Sequence, residues 1–196
     1  MTSLDGDQEI ADVAKTLNPL EATMLKHRTL TLFGEVNQDV SRRLAERLLA
    51  LAYESDDPIT LYISSPGGHV ESGDTIFDII RYIKPEVRTV GTGWVGSIAT
   101  HIFLAPEKEH RFCLPNTRFL IHQPAGGFGG DASDIEIHAR EIVKTRSRIN
   151  GIIAQQTGQP LERVTEDTDR DYWMSAEESV EYGLVGKIIS SIDDIA

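Results

Sequence analysis

The order of apolar runs constrains this chain more than any other feature. Thr29-Leu-Thr-Leu-Phe-Gly34 alternates and stops at a glycine, a strand-and-turn pattern, and Asp39 to Ala52 then carries Val40, Leu44, Leu48, Leu49 and Leu51 at helical spacing. Ile59 to Ser64 reads as a second short strand, leading through Ser65-Pro66-Gly67-Gly68 into a helix with Ile76, Ile79, Ile80 and Ile83 on its apolar side. The order comes a third time: Val87 to Gly91 as a strand, Gly93 to Gly96 as a glycine-rich turn, and Ser97 to Leu104 as an apolar helix opening at a serine. Such repetition predicts an α/β fold around a largely parallel sheet, because parallel neighbours need a crossover connection that a helix supplies.

The second half departs from this rhythm. Arg118 to Ile121 reads as a short strand ending at His122, followed by a glycine-rich loop, Ala125 to Gly130. From about Asp131 to Gln156 a long helix is expected, with Ile135, Ala139, Ile142, Ile149 and Ile153 in three- and four-residue steps and Gly158 and Pro160 closing it. At ~1.5 Å per residue it would be about 39 Å long, more than a compact domain of this size uses internally, so it is expected to project and pack against another subunit. A core helix with a solvated polar face is the alternative. Ser175-Ala-Glu-Glu178 has the form of a capping box, Gly183 ends that helix, and Val185 to Ile189 reads as a last strand.

Residues 1–18 are mostly polar and weakly periodic, so they are read as a mobile arm before one domain, residues 19–196. With 196 residues the chain can bury a core without staples. The single Cys113, in Phe112-Cys113-Leu114, reads as a small buried apolar residue, which makes a reducing compartment the default. Residues 1–18 lack the basic start and apolar core of a signal sequence, so a cytoplasmic location is expected. The formal net charge of −12 disfavours nucleic acid and anionic membrane and leaves peptides or other proteins as better partners. No P-loop, GxGxxG, HExxH or CxxC is present, so no nucleotide or metal signature is visible, and any energy input must come from a partner.

Acyl transfer by serine needs a hydroxyl presented at a sharp turn, an imidazole, a carboxylate to orient it and two amides for the oxyanion. Ser97, after Gly93-Trp94-Val95-Gly96, suits the first role, although the same position suits an ordinary helix N-cap. His122, in Leu120-Ile-His-Gln-Pro124, sits at a strand end, where sites collect in α/β folds; a satisfied half-buried histidine would look alike. Asp167-Thr-Asp-Arg-Asp171 offers carboxylates or merely a solvated turn. Ser65-Pro-Gly-Gly68 offers close backbone approach and free amides, or merely a tight turn.

Together these segments resemble the Clp protease proteolytic-subunit (ClpP) family. The resemblance rests on Ser65-Pro-Gly-Gly68, Arg111-Phe-Cys-Leu-Pro-Asn116, Ile121-His-Gln-Pro124, Asp134-Ile-Glu-Ile-His-Ala-Arg-Glu141, Asp167-Thr-Asp-Arg-Asp171, Ser175-Ala-Glu-Glu178 and Glu181-Tyr-Gly-Leu184, and spans about residues 29–190. It implies a crotonase-like fold with the long helix as a handle. It also implies two stacked heptameric rings around a chamber, unfolded proteins as substrates, and an AAA+ unfoldase that spends the ATP, this chain needing no cofactor. By position it implies Ser97 as nucleophile, His122 as base, Asp171 as orienting acid and Gly68 and Ile98 as oxyanion amides. Tyr62, Tyr82 and Phe112 then belong to an unfoldase-docking cleft, and Arg170 to a ring–ring contact. Serine-histidine-acid chain order, with Val95 and Ala99 at the positions where an α/β-hydrolase has glycines, sets that other fold aside.

The chain departs from the family around its nucleophile, where Val95-Gly-Ser-Ile-Ala99 replaces the usual Ala-Ala-Ser-Met-Gly, and in His69 and His101, which flank the oxyanion loop and the nucleophile's helix. His101, one turn beyond Ser97, competes with His122 for the role of base. Two other readings follow: a weakly active structural subunit in a mixed ring with an active paralogue, and a crotonase-type acyl-CoA hydratase or isomerase, which would not require Ser97.

Overall fold

The computed structural model describes residues 18–127 and 129–195, so the expected arm lies, but for Asn18, outside the described residues. In chain order the elements are α1 (Pro19–Lys26), β1 (Thr29–Phe33), α2 (Gln38–Glu54), β2 (Ile59–Ser65), α3 (Val70–Tyr82), β3 (Val87–Gly96), α4 (Ile98–Phe103), β4 (Arg111–Cys113) and β5 (Arg118–Ile121). There follow α5 (Ala132–Thr157), α6 (Leu161–Asp167), β6 (Tyr172–Met174), α7 (Ala176–Tyr182) and β7 (Lys187–Ile188). Strands β1, β2, β3, β4 and β7 form a parallel path in that order, as the repeated crossovers predict; only β6, joined to β5, runs antiparallel.

Strand β3 extends five residues beyond the expected Gly91, because the glycine-rich segment is itself paired. Its first half, Thr89 to Gly91, runs beside β4, and its second half, Trp94 to Gly96, beside β5. Between the halves, Gly93 takes φ +62°, a left-handed bend that costs a glycine little. The sheet therefore forks, and Ser97 stands at the tip of the fork.

Helix α5 closely matches the expected span and ends on Gly158 in the left-handed conformation. Only Ile149, Asn150 and Ile153 of it are buried; from Ala132 to Glu141 every residue is exposed, with Ile135 and Ile137 among them. The N-terminal half thus projects. The capping box at Ser175 and Glu178 forms with both reciprocal hydrogen bonds. The last strand is shorter than expected, two residues. Helix α1 was not expected, although its signals are plain: Asn18 Oδ1 accepts from the Leu20 amide and Pro19 opens the first turn.

Helix α3 packs closely on α4 through Gly73, where a Cβ would lie 2.1 Å from Ile98 Cγ1. In helix α5, by contrast, a Cβ on Gly151 meets nothing within 4 Å. Gly73→Ala should therefore lower Tm by roughly 3 to 10 °C through overpacking. Gly151→Ala should hold or raise it by about 2 °C, because alanine loses less entropy in a helix. Calorimetry of both variants checks this, and equal shifts would contradict the packing of α3 on α4.

Candidate active site

Ser97 occupies the N-cap position of α4 but does not cap it: its φ is +56° and ψ −129°, and its hydroxyl makes no capping hydrogen bond. A non-glycine residue pays about 1–3 kcal/mol for such a backbone and keeps it only where the surroundings over-determine it. They do so here on several sides. The Ser97 amide donates to Leu120 O at 2.9 Å, and Thr100 Oγ1, buried beneath, donates to Val95 O and Leu120 O. Gly67 packs so close that a Cβ there would lie 2.6 Å from Ser97 Cβ and 2.8 Å from Gly96 O. The loop is pinned in turn: Gly67 O accepts from the Val36 amide and Val36 O from the His69 amide, both at 2.8 Å. Gly68 N–H is left without a hydrogen-bond partner among the described residues, and Ile98 N–H opens α4, where a helix amide has no partner within the helix.

His122 and Asp171 meet because of strand register. Antiparallel pairing sets Phe119 against Met174, Leu120 against Trp173 and Ile121 against Tyr172, so the next step sets His122 opposite Asp171 on one sheet face. His122 Nδ1 lies 2.9 Å from Asp171 Oδ1. On the same face Trp94 and Trp173 stack at 5.6 Å, with Arg118 4.5 Å above Trp173, tying β3, β5 and β6 together. The acidic segment before Asp171 is an exposed turn, but one anchored from within. Thr168 is fully buried, bonded to Asn150 Oδ1 and Val164 O, and Gln123 binds the segment twice, through its amide to Thr168 O and its side chain to Asp169 O. Arg146 of α5 reaches Asp169 Oδ1 at 3.1 Å. Asn150 and Arg146 also support the site and carry no local mark in the sequence, whereas Gln123 lies within the Ile121-His-Gln-Pro124 motif.

Ser97, His122 and His101 share the wall of one small cavity, about 20 Å³, with Ile98, Ile149 and Ile153. That is room for about one water. A larger hollow of about 320 Å³ between α1, β1 and α2 carries none of these residues. The side chain of Asp171 remains 63% exposed, and that of His122 29%. Of the residues expected in a docking cleft, Tyr62 and Phe112 share a small apolar cluster with Val90 and Ile189, whereas Tyr82 stands outside it, 82% exposed. Arg170 is exposed, its guanidinium hydrogen-bonded, among the described residues, only to Asp169 O, at 3.4 Å. His69 is tied down by Ser72 Oγ at 2.8 Å and Glu71 at 3.2 Å. Cys113 is buried, and burial pushes its thiol up to about 12, as an inert core residue requires.

His101, the other histidine beside Ser97, places its Nε2 3.3 Å from Asp74 Oδ1, so its carboxylate neighbour is Asp74 and not Asp171. Burial alone would raise the Asp74 carboxyl, but His101 and Arg148 outweigh burial and hold it down at about 2. A carboxylate depressed in the folded state contributes stability that is present above its unfolded value near 3.8 and lost as pH falls through about 2. That contribution is about 2 kcal/mol. In urea denaturation the stability gap between wild type and Asp74→Asn should therefore keep its size from pH 5 to 7 and close between pH 4 and 2; a gap independent of pH would contradict the ion pair.

Residues 13–192 match the family model described as Clp protease. The chain is similar to ATP-dependent Clp protease proteolytic subunit 3 of Rhizobium etli, with 53% identity over 193 residues that cover 96% of this chain and 99% of that protein. It is also similar to proteolytic subunit 2 of Gluconobacter oxydans, 52% identical over 94% of this chain and 85% of the relative. Among solved structures, a point mutant of ClpP1 from Listeria monocytogenes superposes with a TM-score of 0.85 at 50% identity, covering 90% of this chain and 99% of that one. A forked parallel sheet, a serine held in a strained turn and a histidine–aspartate pair beside it agree with what these similarities establish: the chain belongs to the Clp protease family and is a serine endopeptidase.

Proposed function

We propose that Ser97 is the nucleophile, His122 the general base and Asp171 the carboxylate that orients it, acting on peptide bonds of unfolded polypeptides. The observation that carries this reading is the 2.9 Å contact of His122 Nδ1 with Asp171, beside the cavity that the uncapped Ser97 also lines. With Nδ1–H given to the carboxylate, Nε2 keeps its lone pair for the serine proton. Oγ attacks the carbonyl carbon while its proton passes to Nε2. The amides of Gly68 and Ile98, without partners among the described residues, are the donors we assign to the developing oxyanion. Collapse breaks the C–N bond, His122 returns the proton to the leaving amine, and water repeats the sequence on the acyl-enzyme. No cofactor enters these steps.

In the single chain Ser97 and His122 are not hydrogen-bonded to each other, and Asp171 is largely exposed. These features favour completion of the triad by assembly into two stacked heptameric rings. Helix α5 would provide the contact with its uncovered Ile135, Ile137 and Val143, and Arg170 would pair across the interface. An AAA+ unfoldase, docking near Tyr62 and Phe112 with Tyr82 at a neighbouring edge, would feed substrate into the chamber at the expense of its own ATP, in the cytoplasm. The same unmade serine–histidine contact favours a second reading, a weakly active subunit that completes a ring with an active paralogue.

Treatment of the assembled protein with a fluorophosphonate should add one label per chain, lost in Ser97→Ala. Labelling that survives this substitution would sink the assignment, and an unlabelled wild-type assembly would favour the structural-subunit reading. Arg170→Ala should weaken ring pairing in native mass spectrometry and lower hydrolysis of a fluorogenic peptide together. Full activity from single rings would show that the triad forms without its neighbour.

A further inference from the structure

Beneath Ser97 runs a polar chain, buried at its inner end and open to solvent at its outer one, that the hydrolytic steps do not use. His101, one turn beyond the serine on α4, is 2% exposed and stacks on Phe77 of α3, with ring centroids 4.3 Å apart and planes within 18°. Its Nε2 lies 3.3 Å from Asp74 Oδ1 without completing a hydrogen bond, and Nδ1 has no partner. Asp74, also on α3, turns its carboxylate to Arg148 of α5 in a two-pronged pair of 2.8 and 2.6 Å. Three helices are thus linked in the order α5, α3, α4. The last carries the nucleophile at its head, and the first carries Ile149 and Ile153 into the wall of the same cavity.

A purely apolar contact between α3 and α4 would be less costly. An aromatic in place of His101 would keep the stack on Phe77, whereas a buried imidazole beside a carboxylate must be desolvated and leaves a ring nitrogen unmet. What the polar chain adds is direction. A guanidinium fork fixes both distance and plane, where aliphatic contacts between helices slide. Helix α4 has only six residues and begins at a strained backbone, so its seat depends on what holds it from behind.

We infer that His101 and Asp74 are positioning residues that transmit the seat of α5, through Arg148, to the turn presenting Ser97. The inference rests on Ser97 as nucleophile and on α5 as the helix that assembly engages. It makes the fork at Arg148 the point where docking of the long helix is felt by the serine, at a distance from the His122–Asp171 pair.

The test uses the assembled full-length chain, following the rate of Ser97 acylation by a fluorophosphonate, kcat and KM on a fluorogenic peptide, Tm, and native mass. His101→Phe preserves the stack and deletes the polar contact; Arg148→Lys keeps the charge and loses the fork. His101→Phe and Asp74→Asn should each slow acylation about tenfold and lower kcat in step, with KM within about twofold and the assembly mass unchanged. Arg148→Lys should retain part of the rate that Arg148→Met loses. Combining Arg148→Met with His101→Phe should be no slower than the slower single variant, because both cut one chain. Additive losses, or losses that follow Tm or disassembly alone, would overturn the inference. A labelled wild type with His101→Phe labelling at the same rate would overturn it while leaving Ser97 as nucleophile; an unlabelled wild type would remove both.

Discussion

The backbone of Ser97 lies at φ +56°, ψ −129°, a conformation that a residue with a side chain does not choose unaided, and most of the structure around it serves to impose it. From one side the β2–α3 loop presses Gly67 against it, at a distance no residue with a Cβ would allow. From another, Leu120 of β5 takes both the Ser97 amide and the Thr100 hydroxyl. The strain buys a particular exposure: a hydroxyl that would otherwise cap its own helix is left free for chemistry.

The forked sheet explains why the proposed catalytic groups come from such distant stretches of chain. The second half of β3 leaves β4 for β5, and β5 takes the antiparallel β6 as its other neighbour. His122 and Asp171, separated by 49 residues, then become neighbours by register alone. The stacked Trp94 and Trp173 fix that register on the same face, since a slip of one residue would send every side chain of β6 to the other face. Stability and geometry are supplied by different parts: Ile63, Phe103 and Phe119 are buried in the core, while polar contacts at Gln123, Asp169 and Arg146 hold the loop before Asp171.

What was legible in the sequence was what local periodicity and local chemistry encode. The first two strand–helix units, the long helix ending at Gly158 and the capping box at Ser175 stand as read, because each is specified by residues within a few positions of one another. Helix α1 carries start signals in Asn18 and Pro19, but with no buried residue it has no apolar periodicity to announce it. The extension of β3 through Gly93 to Gly96 was misjudged, since glycines read as a turn until a partner strand is known. The position of Ser97 was visible, but its conformation was not. The link from Arg148 through Asp74 to His101 joins residues 74 apart at its longest step, so no local pattern announces it.

The most direct measurement of how these parts act together is the site of reaction with a peptidyl chloromethyl ketone. Its carbonyl carbon accepts an attacking serine oxygen, and its chloromethyl carbon alkylates an imidazole nitrogen with loss of chloride, so it reports nucleophile and base in one event. Peptide mapping of the treated assembly by mass spectrometry should find His122 alkylated in the wild type and not in Ser97→Ala, with His101 unmodified behind its stack on Phe77. Alkylation at His101, or alkylation of His122 that is undiminished in Ser97→Ala, would contradict the proposed catalytic arrangement.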